Sequence, residues 1–368
     1  MKTSILFMLH CKQNTGYAIA SLEKAFMISA LLAGYTKKEI HFSFTKVDNP
    51  DPQTHEISYD PASKCKLALL IKKHHITTLL AFDLPQPSWI IKEAKIAGVK
   101  KVISYWGASM SSINTGIKLL LKRIEWIYRK KHSPDIFVFE SEAMRLTATN
   151  GRGIPKKKTR VVNLGVDTSI FYPDNNYNYA HQQFSIPSNR KIVFYSGHME
   201  ERKGVRVIIN AAKHLADEGK IPDLHFLICG NKNNEKKPYQ KMTENHLASK
   251  HVTFGGYRND IEKIMRSSHV GVIASTGWDS FTMSSIEMQA SGLPLIVSNL
   301  QGLSETIRAG YSGELITPGD HIGLAKKITL ILEDSDRYAQ YSKSAQQRIV
   351  QGFTLEHQTH QLSKLIQP

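Results

Sequence analysis

Short runs rich in β-branched and aromatic residues alternate with stretches of helical period along the whole chain. That pattern leaves a chain little choice but parallel sheets covered by helices. In the first half the strand-like runs are 5–9, 41–47, 77–82, 101–105, 135–139 and 160–164, with helical stretches at 17–32, 89–97 and 117–131. After Pro173 the pattern lapses into Asp174-Asn175-Asn176-Tyr177-Asn178-Tyr179, a polar turn-forming run that reads as a linker. It then restarts with strand-like runs at 191–196, 224–229, 252–254, 270–274 and 295–298. The expected fold is α/β, with two doubly wound domains over residues 1–173 and 174–352 of the 368. A ligand is expected beyond the carboxyl ends of the strands, in a cleft between the two domains.

Several classes of protein drop out early. No run of eighteen apolar residues occurs, and the opening Met1-Lys2-Thr3-Ser4 with its short apolar run reads as a first strand, not a signal peptide. Three cysteines, Cys11, Cys65 and Cys229, lie far apart without a CxxC pair, which fits a reduced, cytoplasmic protein. The net charge of +16 is uneven: residues 1–173 carry 26 Lys+Arg against 13 Asp+Glu, leaving 22 against 19 for the rest. A basic first half points to an anionic partner on that side, a membrane surface, a lipid-phosphate acceptor or nucleic acid, against the plainer reading of a basic, well-solvated surface.

The segment richest in chemistry is Gly277-Trp278-Asp279-Ser280-Phe281-Thr282-Met283-Ser284-Ser285-Ile286-Glu287. It reads as a turn after a strand, then a helix from about Thr282 whose unpaired N–H groups suit a diphosphate. Glu287 would reach back towards ribose hydroxyls and Asp279 would accept from sugar hydroxyls; the plainer reading makes Asp279 or Ser280 an N-cap. Upstream, Gly197-His198-Met199-Glu200-Glu201-Arg202-Lys203-Gly204 reads either as a glycine turn that places a lysine charge at a helix start or, more plainly, as a surface lysine in a basic neighbourhood.

These blocks, with Asn163-Leu164-Gly165-Val166-Asp167 before them and Gly302, Glu305 and Gly313 after, resemble glycosyltransferase family 4, retaining enzymes of GT-B fold. The resemblance covers roughly residues 135–320. It implies that Asp279, Glu287 and Lys203 are catalytic. It implies a donor site of Gly197, His198, Arg202, Ser280, Phe281, Thr282, Met283 and Gly16, and an acceptor site at Trp106 and Gly107. It also implies a front-face displacement without a protein nucleophile, and a C-terminal segment, 353–368, that rejoins the first domain. The chain departs from the family at His198, where arginine is usual, at Asp279 for glutamate, at Thr282 for glycine, and at Trp106 for a histidine. Only one glycine, Gly16, stands in the first loop where two are common. Trp106 is open to two readings, a platform for a sugar ring or a core tryptophan.

The implied substrates are a nucleotide-sugar, UDP- or GDP-linked, and a saccharide or lipid-linked saccharide of envelope polysaccharide or lipopolysaccharide synthesis, with no cofactor, no metal and no nucleic acid. Asp334-Ser335-Asp336 reads better as an N-cap than as a metal motif. Residues 117–131 set Ile117, Leu120, Leu121, Ile124 and Tyr128 at helical spacing among Lys118, Lys122, Arg123, Arg129, Lys130 and Lys131. Either this helix lies on an anionic membrane face or its stripe packs into the core. Two rival functions are a GT-B-like sugar-nucleotide epimerase and a non-catalytic nucleotide- or nucleic-acid-binding protein.

Overall fold

The computed structural model describes residues 3–174, 178–230 and 234–368. The expected linker therefore lies partly outside the described residues, at Asn175–Tyr177; so does the side chain of Lys131. Two compact units form: 1–163 with 355–368, and 164–354.

The first unit is built on a seven-stranded sheet of β1 (Ser4–Met8), β2 (Ile40–Phe44), β3 (Thr54–Glu56), β4 (Ile76–Phe82), β5 (Lys101–Trp106), β6 (Ile136–Phe139) and β7 (Thr159–Val161). Its order is β3-β2-β1-β4-β5-β6-β7, and every pairing is parallel. The second unit carries β8 (Lys191–Ser196), β9 (Leu224–Cys229), β10 (Val252–Gly256), β11 (Val270–Ile273), β12 (Leu295–Ser298) and β13 (Gly313–Ile316) in the order β10-β9-β8-β11-β12-β13, again all parallel.

Sheets covered on both faces need strands apolar on both faces. Accordingly every residue of β1, β2 and β9 is buried. In the first unit Leu6, Met8, Leu79 and Val102 meet Leu67, Ile71, Ile90 and Ala94 from helices. In the second, Val193, Phe226 and Val272 meet Val205, Ile208, Leu215, Leu324 and Ile328. The helix Leu355–Ile366 belongs to the first unit, where the Tyr35 hydroxyl donates to the Ile366 carbonyl at 3.1 Å and Lys101 Nζ to the Gln367 carbonyl at 2.8 Å.

The two α/β halves are as expected, but two strands escape a periodicity reading. β3 is three residues long and only partly buried at the sheet edge, and β13 is a four-residue edge strand opened by glycine. Edge strands of that length carry too few apolar positions to show a period.

Candidate functional site

Each sheet reverses its order once, between β1 and β4 in the first unit and between β8 and β11 in the second. At such a point the loops leaving two adjacent strands diverge, opening a crevice at the carboxyl ends where ligands bind in folds of this kind. The expected donor residues other than Gly16 sit on the segments that follow β8 and β11.

After β8 the chain runs through Gly197 and His198 to a single turn of 3-10 helix, Glu201–Lys203, then Gly204 at φ 75 and the helix Val205–Asp217. Gly204 is required twice over. Its φ is left-handed, and a Cβ there would lie 1.7 Å from the Ala274 carbonyl oxygen. That contact lets the β8 and β11 loops lie against each other. Thr276 N–H donates to the Arg202 carbonyl at 2.8 Å, and the Arg202 Nη1 donates back to the Trp278 carbonyl at 3.1 Å.

The centre of the lacing is a buried ion pair. Lys203 Nζ lies 2.9 Å and 3.0 Å from the two oxygens of Asp279, whose residue is only 3% exposed. Ser275 Oγ at 2.6 Å and Ser280 N–H at 3.1 Å also donate to this carboxylate. Four donor contacts fall on an acceptor with about four lone-pair sites, so Asp279 is nearly saturated. Neither Asp279 nor Ser280 caps the following helix. Thr282 is its N-cap, in extended conformation, and the Thr282 hydroxyl is buried without a hydrogen-bond partner among the described residues.

The helix Met283–Ala290 begins four residues after Asp279, the partner of Lys203, and its first N–H groups carry the positive end of the helix dipole. Glu287 is buried in its second turn. Phe281 anchors the loop from behind, 2% exposed and stacked on Phe353 at 5.3 Å. His198 is exposed, and its carbonyl accepts from the Tyr195 hydroxyl at 2.6 Å. Arg202 also pairs with Glu200 at 2.8 Å. Lys203, Arg202, Asp279, Ser280, Thr282 and Met283 are therefore brought onto two interlocked loops. Sequence reasoning missed Ser275 and Gln301, whose Oε1 accepts from Asp279 N–H at 3.4 Å; Ser275 sits two residues past the end of β11, a position that could have flagged it.

Gly16, Trp106 and Gly107 belong to the first unit. Gly16 precedes the helix Tyr17–Leu32. Trp106 ends β5 half-buried, its indole N–H donating to Ser104 Oγ at 2.7 Å. Gly107 N–H donates to Asp83 Oδ1 at 2.9 Å, and a Cβ on Gly107 would come within 2.8 Å of the Phe82 ring.

Asp83, not singled out in the sequence, follows β4 at φ 48. Burial pushes its carboxyl up to about 6, against the pull of the Gly107 and Ala108 N–H groups. Beyond β6, Glu140 is pushed well above the usual carboxylate range by burial first and the Asp83 charge second. Tyr59 pins the two central strands, its hydroxyl within 3.2 Å of the Met8 carbonyl and 2.5 Å of the Phe82 carbonyl. A lone Asp and a lone Glu at strand ends carry no spacing signal, which is why pattern reading passes over them.

Away from these loops, Asp334 Oδ1 accepts from Arg337 N–H at 2.9 Å as the N-cap of helix Ser335–Gly352. Among the described residues no three His, Cys, Asp or Glu side chains are placed to hold a metal ion. No helix among them is long and apolar enough to cross a membrane.

Two parallel-sheet Rossmann-like units, each with one reversal of strand order, define a class: the structure has the GT-B fold. It aligns with a glycosyltransferase from Rickettsia africae at TM-score 0.80 and 19% identity, covering 99% of this chain and 98% of that one. It aligns with Anabaena HepE in complex with UDP at TM-score 0.76 and 17% identity, covering 98% of both. At these identities the likeness establishes the fold.

The sequence itself carries the assignment further. Residues 177–348 match the family described as Glycosyl transferases group 1. The chain is also 27% identical over 277 residues to the UDP-Gal:alpha-D-GlcNAc-diphosphoundecaprenol alpha-1,3-galactosyltransferase of Escherichia coli, covering 74% of this chain and 70% of that relative. The chain carries a glycosyl transferases group 1 domain and is an enzyme, a glycosyltransferase.

Proposed function

We propose that this enzyme transfers a sugar from a UDP-linked donor, with retention of configuration, to a lipid-linked saccharide at an anionic membrane face. The observation that carries the reading is the Lys203–Asp279 pair, set at the switch point of the group 1 domain against a helix N-terminus. UDP is favoured because a structure of the same fold holds it and because the Escherichia coli relative's name specifies a UDP-sugar. That name also specifies a diphosphoundecaprenol acceptor, which supports the lipid-linked class.

In this reading residues 174–352 bind the donor and 1–173 the acceptor, with the C-terminal helix on the acceptor side. Lys203 and Arg202 neutralise the diphosphate together with the N–H groups at Met283 and Ser284, and Glu287 holds the ribose. The bond from the anomeric carbon to the β-phosphate oxygen breaks as the acceptor hydroxyl oxygen bonds on the same face. Its proton passes to the departing phosphate oxygen. The protein supplies position and stabilisation of the growing phosphate charge, the kind of effect worth most in a preorganised, dry site. Gly16, His198, Gly197 and Phe281 shape the donor loops, and Trp106 with Gly107 faces the acceptor, the indole offering a ring for sugar stacking.

The membrane component rests on the Gly116–Arg129 helix. Ile117 is 78%, Leu120 55% and Leu121 59% exposed, with Ile124, Ile127 and Tyr128 also out in solvent, while Trp126 alone is buried. The exposure of the stripe supports the membrane reading over the core-packing one. An apolar arc flanked by lysine and arginine suits an anionic interface.

The deciding experiment is thermal stabilisation of the purified protein across UDP, GDP, ADP and their sugars, repeated with Glu287→Ala. A nucleotide at a hundred times its Kd adds about 2.7 kcal/mol. A UDP-selective shift weakened by Glu287→Ala is expected; no shift with any nucleotide overturns the donor assignment. Vesicle sedimentation tests the membrane component: Leu120→Ser with Ile124→Ser should release the protein from phosphatidylglycerol-containing vesicles, and a wild-type protein that ignores such vesicles sinks it.

A further inference from the structure

At 100° per residue, the exposed side chains Ile117, Leu120, Leu121, Ile124, Ile127 and Tyr128 fall in an arc of about 120° on the Gly116–Arg129 helix. Arg123 stands just beyond the Ile127 edge of that arc, and buried Trp126 farther round. Along this edge a cavity of about 480 Å³ opens between the helix, the Glu142–Thr149 helix and the segment ending at Lys156. Arg123, Trp126, Ile127, Arg145, Leu146 and Lys156 line it. Its volume falls in the range of small-ligand sites.

The lining combines three cations, Arg123, Arg145 and Lys156, and one carboxylate, Glu142, with apolar Trp126, Ile127 and Leu146. Arg145 is pinned by Glu142, its Nε donating to Oε1 at 3.1 Å. Among the described residues neither Arg123 nor Lys156 makes an ion pair, so the cavity holds two uncompensated cations. Ile127 and Leu146, 57% and 36% exposed, stand at the cavity and reach solvent. Lys156 is also the first of three consecutive lysines, and the third, Lys158, holds its Nζ 6.0 Å over the Trp126 ring. A ligand that satisfies all of this has a phosphate for Arg123 and Lys156 and a hydrocarbon part that leaves past Ile127 onto the exposed arc.

We propose that this cavity is a binding site for the phosphate headgroup of an anionic membrane lipid, whose acyl chains lie along the exposed arc of the Gly116–Arg129 helix. The site rests on the reading of that helix as membrane-facing. It adds to it a stereochemical preference for one kind of lipid, where a smeared surface charge would give only salt-dependent attraction.

The test is calorimetric titration of the full chain, saturated with UDP so that the donor loops are occupied, with dihexanoylphosphatidylglycerol below its micellar concentration. Dihexanoylphosphatidylcholine and inorganic phosphate are the comparison ligands. Arg123→Ala with Lys156→Ala is the variant, both side chains being exposed and outside the core. We expect the anionic short-chain lipid to bind at least ten-fold more tightly than either comparison ligand, and the double variant to lose at least ten-fold. Equal binding of the two lipids, or a double variant that binds as the wild type does, overturns the site. Inorganic phosphate binding as tightly as the lipid overturns the lipid assignment. Because monomeric lipid needs no bilayer, failure here with vesicle binding still sensitive to Leu120→Ser and Ile124→Ser removes the cavity alone. Failure of wild-type vesicle binding removes the membrane reading.

Discussion

Lys203 and Asp279 lie 76 residues apart in sequence and meet as an ion pair at 2.9 Å, with the side chains only 18% and 5% exposed. The pair joins the loops leaving two adjacent strands, so one contact ties those loops together and holds a cation between them. Lys203 has a donor to spare for a phosphate, since an ammonium carries three and two face Asp279.

Removing one partner strands the other's charge. Lys203→Ala should cost about 3 kcal/mol of stability and about a hundredfold or more in turnover, read by urea unfolding and donor consumption. Lys203→Ala combined with Asp279→Ala should regain most of the stability and none of the turnover. A double variant as unstable as the single one would show that the pair is not the cause.

The junction of the loops is steric as well as electrostatic. Gly204→Ala places a methyl group 1.7 Å from the Ala274 carbonyl oxygen at a left-handed φ, so the β8 and β11 loops must part. We expect a loss above about 3 kcal/mol together with loss of nucleotide-induced stabilisation. Retention of both would mean that the loops tolerate separation.

Acid should weaken the protein in a defined window. Burial first, then neighbouring cations and imidazoles, pulls His41, His55, His225 and His269 down to about 4 from 6.5. The unfolded chain therefore binds more protons than the folded one between those values, and stability present above about 6.5 is lost as pH falls through 4. His74, lowered by burial, adds to this, while Asp83, Glu140 and Glu23, raised in the folded state, act in the opposite sense. Unfolding free energy measured from pH 7 to 4 should fall, and the double variant His41→Gln, His55→Gln should flatten the slope. A slope of opposite sign would show that the carboxyls dominate.

Asp83 should be visible in the pH profile of the reaction. Its carboxyl, pushed up to about 6, accepts from the N–H of Gly107 beside Trp106. Asp83→Asn keeps an acceptor oxygen for that N–H but cannot ionise. We expect kcat/KM of the wild type to change through pH 6 and that of Asp83→Asn to lose this inflection while the fold is retained. An unaltered profile would assign Asp83 a purely structural part.

Much of this protein is legible in one dimension because parallel sheets write themselves as local pattern. The bounds of β8, β9 and β12 and of the helices Tyr17–Leu32 and Trp89–Ala97 follow from apolar runs and helical period alone. The loop from Gly197 to Gly204 and the segment from Gly277 to Glu287 are equally local, since a turn glycine and a helix start are set by neighbouring residues. What the chain could not disclose is non-local. Asp279 reads equally well as a cap or a ligand until Lys203 and Ser275 are brought to it, and only the adjacency of β8 and β11 does that. The 117–131 stripe reads equally as core or as membrane face, because helical period records that an apolar face exists and not what covers it; tertiary packing left it uncovered. The shifts at Asp83 and Glu140, and the cavity between Arg123 and Lys156, likewise come from burial and approach of distant segments, quantities that exist only once the chain has folded.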